Sequence, residues 1–251
     1  MLAGCAMPEL FGRVNHATAS SLAAVGCEVR CPEEHVCCGA LHAHNGDLEG
    51  SRRLARGTIE AFEAAGDGPI VVNSAGCGAH MQEYERLLES DPDWRQRAAA
   101  FAKRVVDYSV FLARPHLAER LQAELQSSAG SFSQEPVKLT YDDPCHLCHG
   151  QQVRSEPREL LEALPGHELV PLEDSEACCG SAGIYSVLRP QDSLDVLEPK
   201  LAALRASGAE TLVTANPGCH LQWATGVSRA GREVRVAHIA EVVAEALGEE
   251  P

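Results

Sequence analysis

Apolar residues along this chain follow two alternating rhythms. Short runs rich in aliphatic and β-branched residues cover 28–31, 70–73, 137–141, 168–171, 212–215 and 233–236. The most apolar of them, at 70–72 and 212–215, predict strands buried on both faces, as in a parallel sheet. Between them lie stretches with apolar residues three and four apart. These predict helices over about 8–25, 48–65, 79–88, a helical region over 94–125 broken near Pro115, and a last helix over 239–247. Alanine-rich helical stretches end at Gly66 and at Gly208, each 11 residues before a cysteine. Glycine in that place stops a helix by taking a left-handed conformation that other residues resist.

The pattern repeats. Residues 70–77 read Ile-Val-Val-Asn-Ser-Ala-Gly-Cys, and residues 212–219 read Leu-Val-Thr-Ala-Asn-Pro-Gly-Cys. The expected fold is α/β, with two duplicated βαβ-type lobes built on short parallel sheets. The first lobe spans 1–126 and the second 137–251, joined by a Ser-rich linker over 127–136. Residues 2–5 read as the end of a buried strand. The corresponding strand of the second lobe is longer, so the first lobe's opening strand is expected to be truncated.

Cysteine placement sharpens the repeat. One set is Cys5, Cys37, Cys38 and Cys77, and the other is Cys145, Cys178, Cys179 and Cys219. Each contains Cys-Cys-Gly, and the intervening lengths are 31 and 32, then 38 and 39 residues. Scattered core cysteines need no matched offsets, whereas metal or cluster ligands do. Adjacent cysteines also disfavour a disulfide framework, and the first residues show no basic signal-peptide start. Four thiolates suit an iron–sulfur cluster or zinc, and spacing alone does not decide between them. Three cysteines stand outside the sets: Cys27, Cys31 and Cys148 are expected to be core thiols. His42, His44, His80, His146, His149 and His220 lie near the cysteine segments as hydrogen-bonding neighbours, with His146 and His220 directly after ligand candidates. Asp142 and Asp143 are expected to cap the turn that carries Cys145.

Charge narrows the function. The net charge of -15 argues against a nucleic-acid partner, which needs clustered cations. No apolar run approaches the ~20 residues of a membrane span. No phosphate-cradling glycine motif and no nucleophile–histidine–acid set is present, so no catalytic residue is assigned.

The segments Cys37-Cys38-Gly39-Ala40-Leu41-His42, 73–78, Asp143-Pro144-Cys145-His146-Leu147, Cys178-Cys179-Gly180-Ser181-Ala182-Gly183 and Ala215-Asn216-Pro217-Gly218-Cys219 resemble the cysteine-rich CCG family. That family includes iron–sulfur subunits of glycolate oxidase and of anaerobic glycerol-3-phosphate dehydrogenase, lactate-utilisation iron–sulfur proteins and the cysteine-rich component of heterodisulfide reductase. The resemblance is greatest to the glycolate oxidase type. It implies an electron-transfer subunit whose eight cysteines hold iron–sulfur centres, [4Fe-4S] in type, with zinc as the alternative at one site. It further implies an FAD-containing partner that oxidises the hydroxy acid, a ferredoxin-like region that is either truncated from this sequence or carried on a separate chain, and quinone as acceptor. A cytoplasmic protein, peripheral at the inner membrane face, is expected. Where the heterodisulfide reductase pattern has a further cysteine, this chain has His80 and Gln222. Heterodisulfide cleavage is therefore not expected. A structural zinc or docking module, and thiol–disulfide exchange at Cys145 and Cys148, are the rival readings.

Overall fold

In a computed structural model, residues 1–32, 36–128 and 135–249 are described. The first half contains α1 (Met7–Leu10), α2 (Gly12–Ala24), α3 (Ala40–His44), α4 (Leu48–Ala65), β1 (Ile70–Val72), α5 (Ala75–Gln82), α6 (Tyr84–Leu87), α7 (Arg95–Ala102), β2 (Val105–Asp107), α8 (Tyr108–Leu112) and α9 (Pro115–Ser128). The second contains β3 (Val137–Tyr141), a π-helical turn His146–Gly150, α10 (Glu156–Glu162), β4 (His167–Leu169), α11 (Tyr185–Leu188), α12 (Pro190–Ser207), β5 (Thr211–Thr214), α13 (Pro217–Arg229), β6 (Arg235–His238) and α14 (Ile239–Ala246). Most of the expected linker, residues 129–134, lies outside the described residues.

All strand pairs are parallel, so the expected α/β class with short parallel sheets and duplicated halves is what the chain forms. The second half has a four-stranded sheet in the order β4-β3-β5-β6. The first has β1 paired with β2. The two sheets share a register: Val72 faces Asp107, and Thr214 faces His238, each five residues before the last cysteine of its set. Helices α4 and α12 run antiparallel back to the strands and stop at Gly66 and Gly208, as expected.

Four expectations change. The predicted strand at 28–31 does not form, because its neighbour is too short to ladder with it. Residues 1–2 stand where β3 stands in the other half: the Met1 ammonium donates to the Arg30 carbonyl, and Leu2 N donates to Val71 O at 2.9 Å. The helix predicted over 8–25 breaks at Phe11, whose ring instead packs edge-on against His220 at 4.9 Å. The helical region 94–125 contains a strand, β2, too short to show a period of its own. The helix predicted from residue 79 begins at Ala75, so it takes in Cys77.

A central apolar cluster draws on both halves, with Val14, Leu22, Tyr108 and Leu112 packed with Leu139, Val213, Ile239 and Val243. Helix α14 lies against α2 across this core. Each half also keeps its own outer cluster, around Ile59 and Tyr84 in one and around Leu197 and Trp223 in the other. No described helix is long and apolar enough to cross a membrane.

Candidate metal centre

Parallel sheets place their loops and helix starts at the carboxyl ends of the strands, and open α/β sheets bind ligands there. Cys77 sits in the first turn of α5, directly after β1, and Cys219 in the first turn of α13, after β5. Backbone N–H groups left unpaired at a helix start, and the helix dipole, favour a thiolate in that position. Cys5 and Cys145 follow residues 1–4 and β3. The Cys-Cys-Gly segments come in from the other side, turned by Gly39 (φ 82°) and Gly180 (φ 86°).

The structure brings each predicted set together. In the first, side-chain contacts run Cys5–Cys37–Cys38–Cys77, and the Cys38 and Cys77 sulfurs are 3.2 Å apart. In the second they run Cys145–Cys178–Cys179–Cys219. All eleven cysteines are thiols without disulfides. Proton sharing follows one pattern in both sets. Cys37, accepting from Cys38 and Cys5, is pulled down to about 2, and Cys178, accepting from Cys145 and Cys179, likewise to about 2. The donors Cys5, Cys38, Cys145 and Cys179 are pushed up by the same contacts and by burial. Gly180 N donates to Cys178 Sγ at 3.3 Å, and Asn216 Nδ2 to Cys219 Sγ at 3.5 Å.

This donor set fits a thiophilic metal or an iron–sulfur cluster: four deprotonable sulfurs, with N–H groups aimed at them to stabilise the charge. A tetrahedral ion bound at about 2.3 Å sets its sulfurs about 3.8 Å apart, so any occupant has to spread the Cys38–Cys77 pair.

Around the sulfurs the two halves hold an equivalent serine by different partners, and these partners carry no sequence signal. Ser51 Oγ meets His80 Nε2 at 2.9 Å, and Ser193 Oγ accepts from Gln222 Nε2 at 2.8 Å. His80 and Gln222 thus hold equivalent serines rather than ligate in place of a cysteine. Burial holds His80 down at about 4, so its ring stays neutral. The halves differ at a buried place on the long helix before the strand. Thr58 Oγ1 donates to Cys37 O at 3.1 Å. Its counterpart eight residues before the helix-stop glycine is Lys200, whose Nζ donates to the carbonyls of Ser175 (2.7 Å) and Ala177 (2.6 Å) and pairs with Asp142 Oδ1 at 2.6 Å. Asp142 and Asp143 are therefore ion-pair anchors rather than turn caps, Asp143 holding Arg158 at 2.6 Å.

The other expected residues scatter. Cys148 is buried as expected, and Cys27 packs against the central core, but Cys31 is exposed because the strand that would have buried it is not formed. His149 faces the Glu176 carbonyl, His42 pairs with Asp47, and His220 packs on Phe11.

The probable glycolate oxidase iron–sulfur subunit of Bacillus subtilis (strain 168) is 40% identical over 248 residues, covering 98% of this chain and 54% of that protein. The chain thus spans about half the length of that relative. Lactate utilization protein A of Exiguobacterium sp. (strain ATCC BAA-1283 / AT1b) is 33% identical over 241 residues, covering 96% of this chain and 94% of that protein. The Shouchella clausii (strain KSM-K16) protein of the same name is 32% identical, covering 95% of each. A family model described as a cysteine-rich domain, CCG, matches residues 1–82 and again residues 139–223. Each match encloses one whole cysteine quartet, and the chain belongs to this cysteine-rich CCG family.

Proposed function

We propose that this chain is an iron–sulfur electron-transfer subunit of a 2-hydroxy-acid-oxidising complex, with glycolate as the complex's substrate. The observation that carries the reading is the paired gathering of four thiols at the carboxyl end of each sheet. Cys5, Cys37, Cys38 and Cys77 hold one centre, and Cys145, Cys178, Cys179 and Cys219 the other, of the [4Fe-4S] type. A bound cluster supplies one-electron redox chemistry at these sites. The protein's part is to release the thiol protons, to aim Gly180 N and Asn216 Nδ2 at sulfur, and to exclude water around the buried Cys38, Cys179 and Cys219. The hydroxy acid is oxidised at an FAD-containing partner subunit, and electrons leave through a ferredoxin-like chain towards membrane quinone, on the cytoplasmic side.

Identity favours glycolate. Lactate is the second reading, supported by relatives named for lactate utilization that align along nearly their whole length. Turnover of glycolate against lactate with candidate flavoproteins separates the two.

The decisive test is anaerobic purification with iron, sulfide and zinc counted per chain, and an EPR spectrum after dithionite. Iron and sulfide in equal amounts with a reducible signal are expected. Zinc without sulfide, silent on reduction, overturns the redox reading.

A further inference from the structure

The two thiol sites are joined through their helix starts. Ala75 N donates to Ala215 O at 3.1 Å and Gly76 N to Asn216 Oδ1 at 3.1 Å, so the helix starts that carry Cys77 and Cys219 are tied together. Helix α3, which follows the first Cys-Cys-Gly, reaches across this junction. Its last residue, His44, stacks on His146 with ring centroids 5.4 Å apart and planes at 29°. His146 in turn places Nδ1 3.6 Å from the sulfur of Cys145, in the second set. On its other side His44 meets His80 edge-on at 6.4 Å, within the first set's surroundings. The same helix abuts the second Cys-Cys-Gly segment at Gly183, where an added Cβ would come 3.6 Å from Leu41 and 3.7 Å from His44.

We propose that His44 is a positioning residue that couples the two thiol sites: a side chain of the first motif that fixes His146 against Cys145 of the second. Contacts just outside a metal's ligands orient those ligands and tune the metal, and coupling travels through contiguous packed groups such as this His80–His44–His146 row. Coupling of this kind is reciprocal, so occupation of one site changes the other's affinity by the same factor in both directions. The stack is the device, because His44 is an exposed residue with no other role in the core.

The redox part rests on the function proposed above, so the test has one arm that does not. In the metal-stripped, reduced full chain, iodoacetamide modification of Cys145 is followed by mass spectrometry. His44→Ala is expected to raise the Cys145 rate at least threefold while the Cys5 rate stays put, and His44→Phe, which keeps a ring to stack, to restore the wild-type rate. An unchanged Cys145 rate in His44→Ala, or Phe behaving as Ala, overturns the proposal. In the loaded chain, EPR-monitored redox titration is expected to show the second centre's midpoint moving in His44→Ala and returning in His44→Phe, with iron content unchanged. Movement of neither midpoint, or of the first alone, also overturns it. If the wild type takes up no iron and sulfide, the functional reading fails while the alkylation arm still decides the role of His44.

Discussion

An alanine at Gly180 meets two obstacles at once. The backbone there is left-handed, which costs an L-residue about 1–2 kcal/mol, and a Cβ would lie 2.3 Å from the Ser193 carbonyl oxygen. At Gly39 the conformation is the same but the corresponding approach, to Ser51 O, is 3.2 Å. Gly180→Ala should therefore displace the Cys178–Cys179 segment and lower the iron bound at the second site. Gly39→Ala should cost about 1–2 kcal/mol in urea unfolding and leave the first site loaded. At the proposed ligands, Cys38→Ser should abolish one centre's EPR signal and Cys179→Ser the other's. Unchanged iron in both variants would sink the ligand assignment. The gathering of the eight cysteines into two sets was legible in the sequence, because matched offsets mark residues that two similar folds bring to similar places. Lys200 was not: its helix position reads as an exposed cation until α12 is laid on the Asp142 loop.

Strand ends repeat the theme with opposite charge logic. Asp107 and His238 are register-equivalent, each closing a strand and capping the next helix. The Asp107 carboxylate accepts from Ser109 N at 2.8 Å, and burial raises it from 3.8 to about 6. His238 Nδ1 accepts from Ala240 N, its Nε2 donates to Asn73 O at 2.8 Å, and burial lowers it from 6.5 to about 3. Between pH 6 and 4 the folded chain keeps a proton on Asp107 that the unfolded chain loses, so acidification stabilises through this group. Over the same window the unfolded chain protonates the histidine that the folded chain keeps neutral, so acidification destabilises through His238. Each slope is about 1.4 kcal/mol per pH unit and the two oppose. Relative to the wild type, His238→Asn should gain stability from pH 6 to 4 and Asp107→Asn should lose it, read from urea midpoints at pH 4, 5 and 6. The same elements show where periodicity stopped being informative. β2 has three residues and no room for a pattern, and the expected strand at 28–31 had the right composition but lacked a neighbour of matching length.

Across the whole molecule, duplication does not mean independence. The central apolar cluster takes residues from both halves, so neither half can open without stripping the other. The two tryptophans report on opposite ends: Trp94 packs against the first half's outer cluster and Trp223 is buried in the second's. In Trp94→Phe and Trp223→Phe, the remaining fluorophore should give the same urea midpoint, within the shift each substitution itself causes. Separated transitions would show the halves unfolding apart. The duplicated architecture was readable from the paired Cys-Cys-Gly spacing, but the shared core was not, since nothing in a strand's composition says which half its neighbour comes from.

One asymmetry reaches further than the fold. Among the described residues, β1 has a single laddered neighbour and one backbone bond from Leu2, whereas β5 is laddered on both sides. Local opening is easiest where backbone hydrogen bonds are fewest. In heavy water, the amides of residues 70–72 should take up deuterium well before those of 211–214. Cys77 hangs from the faster-breathing sheet and Cys219 from the slower, so a chelator added to the metal-loaded chain should empty the first site before the second, one seat labile and the other inert.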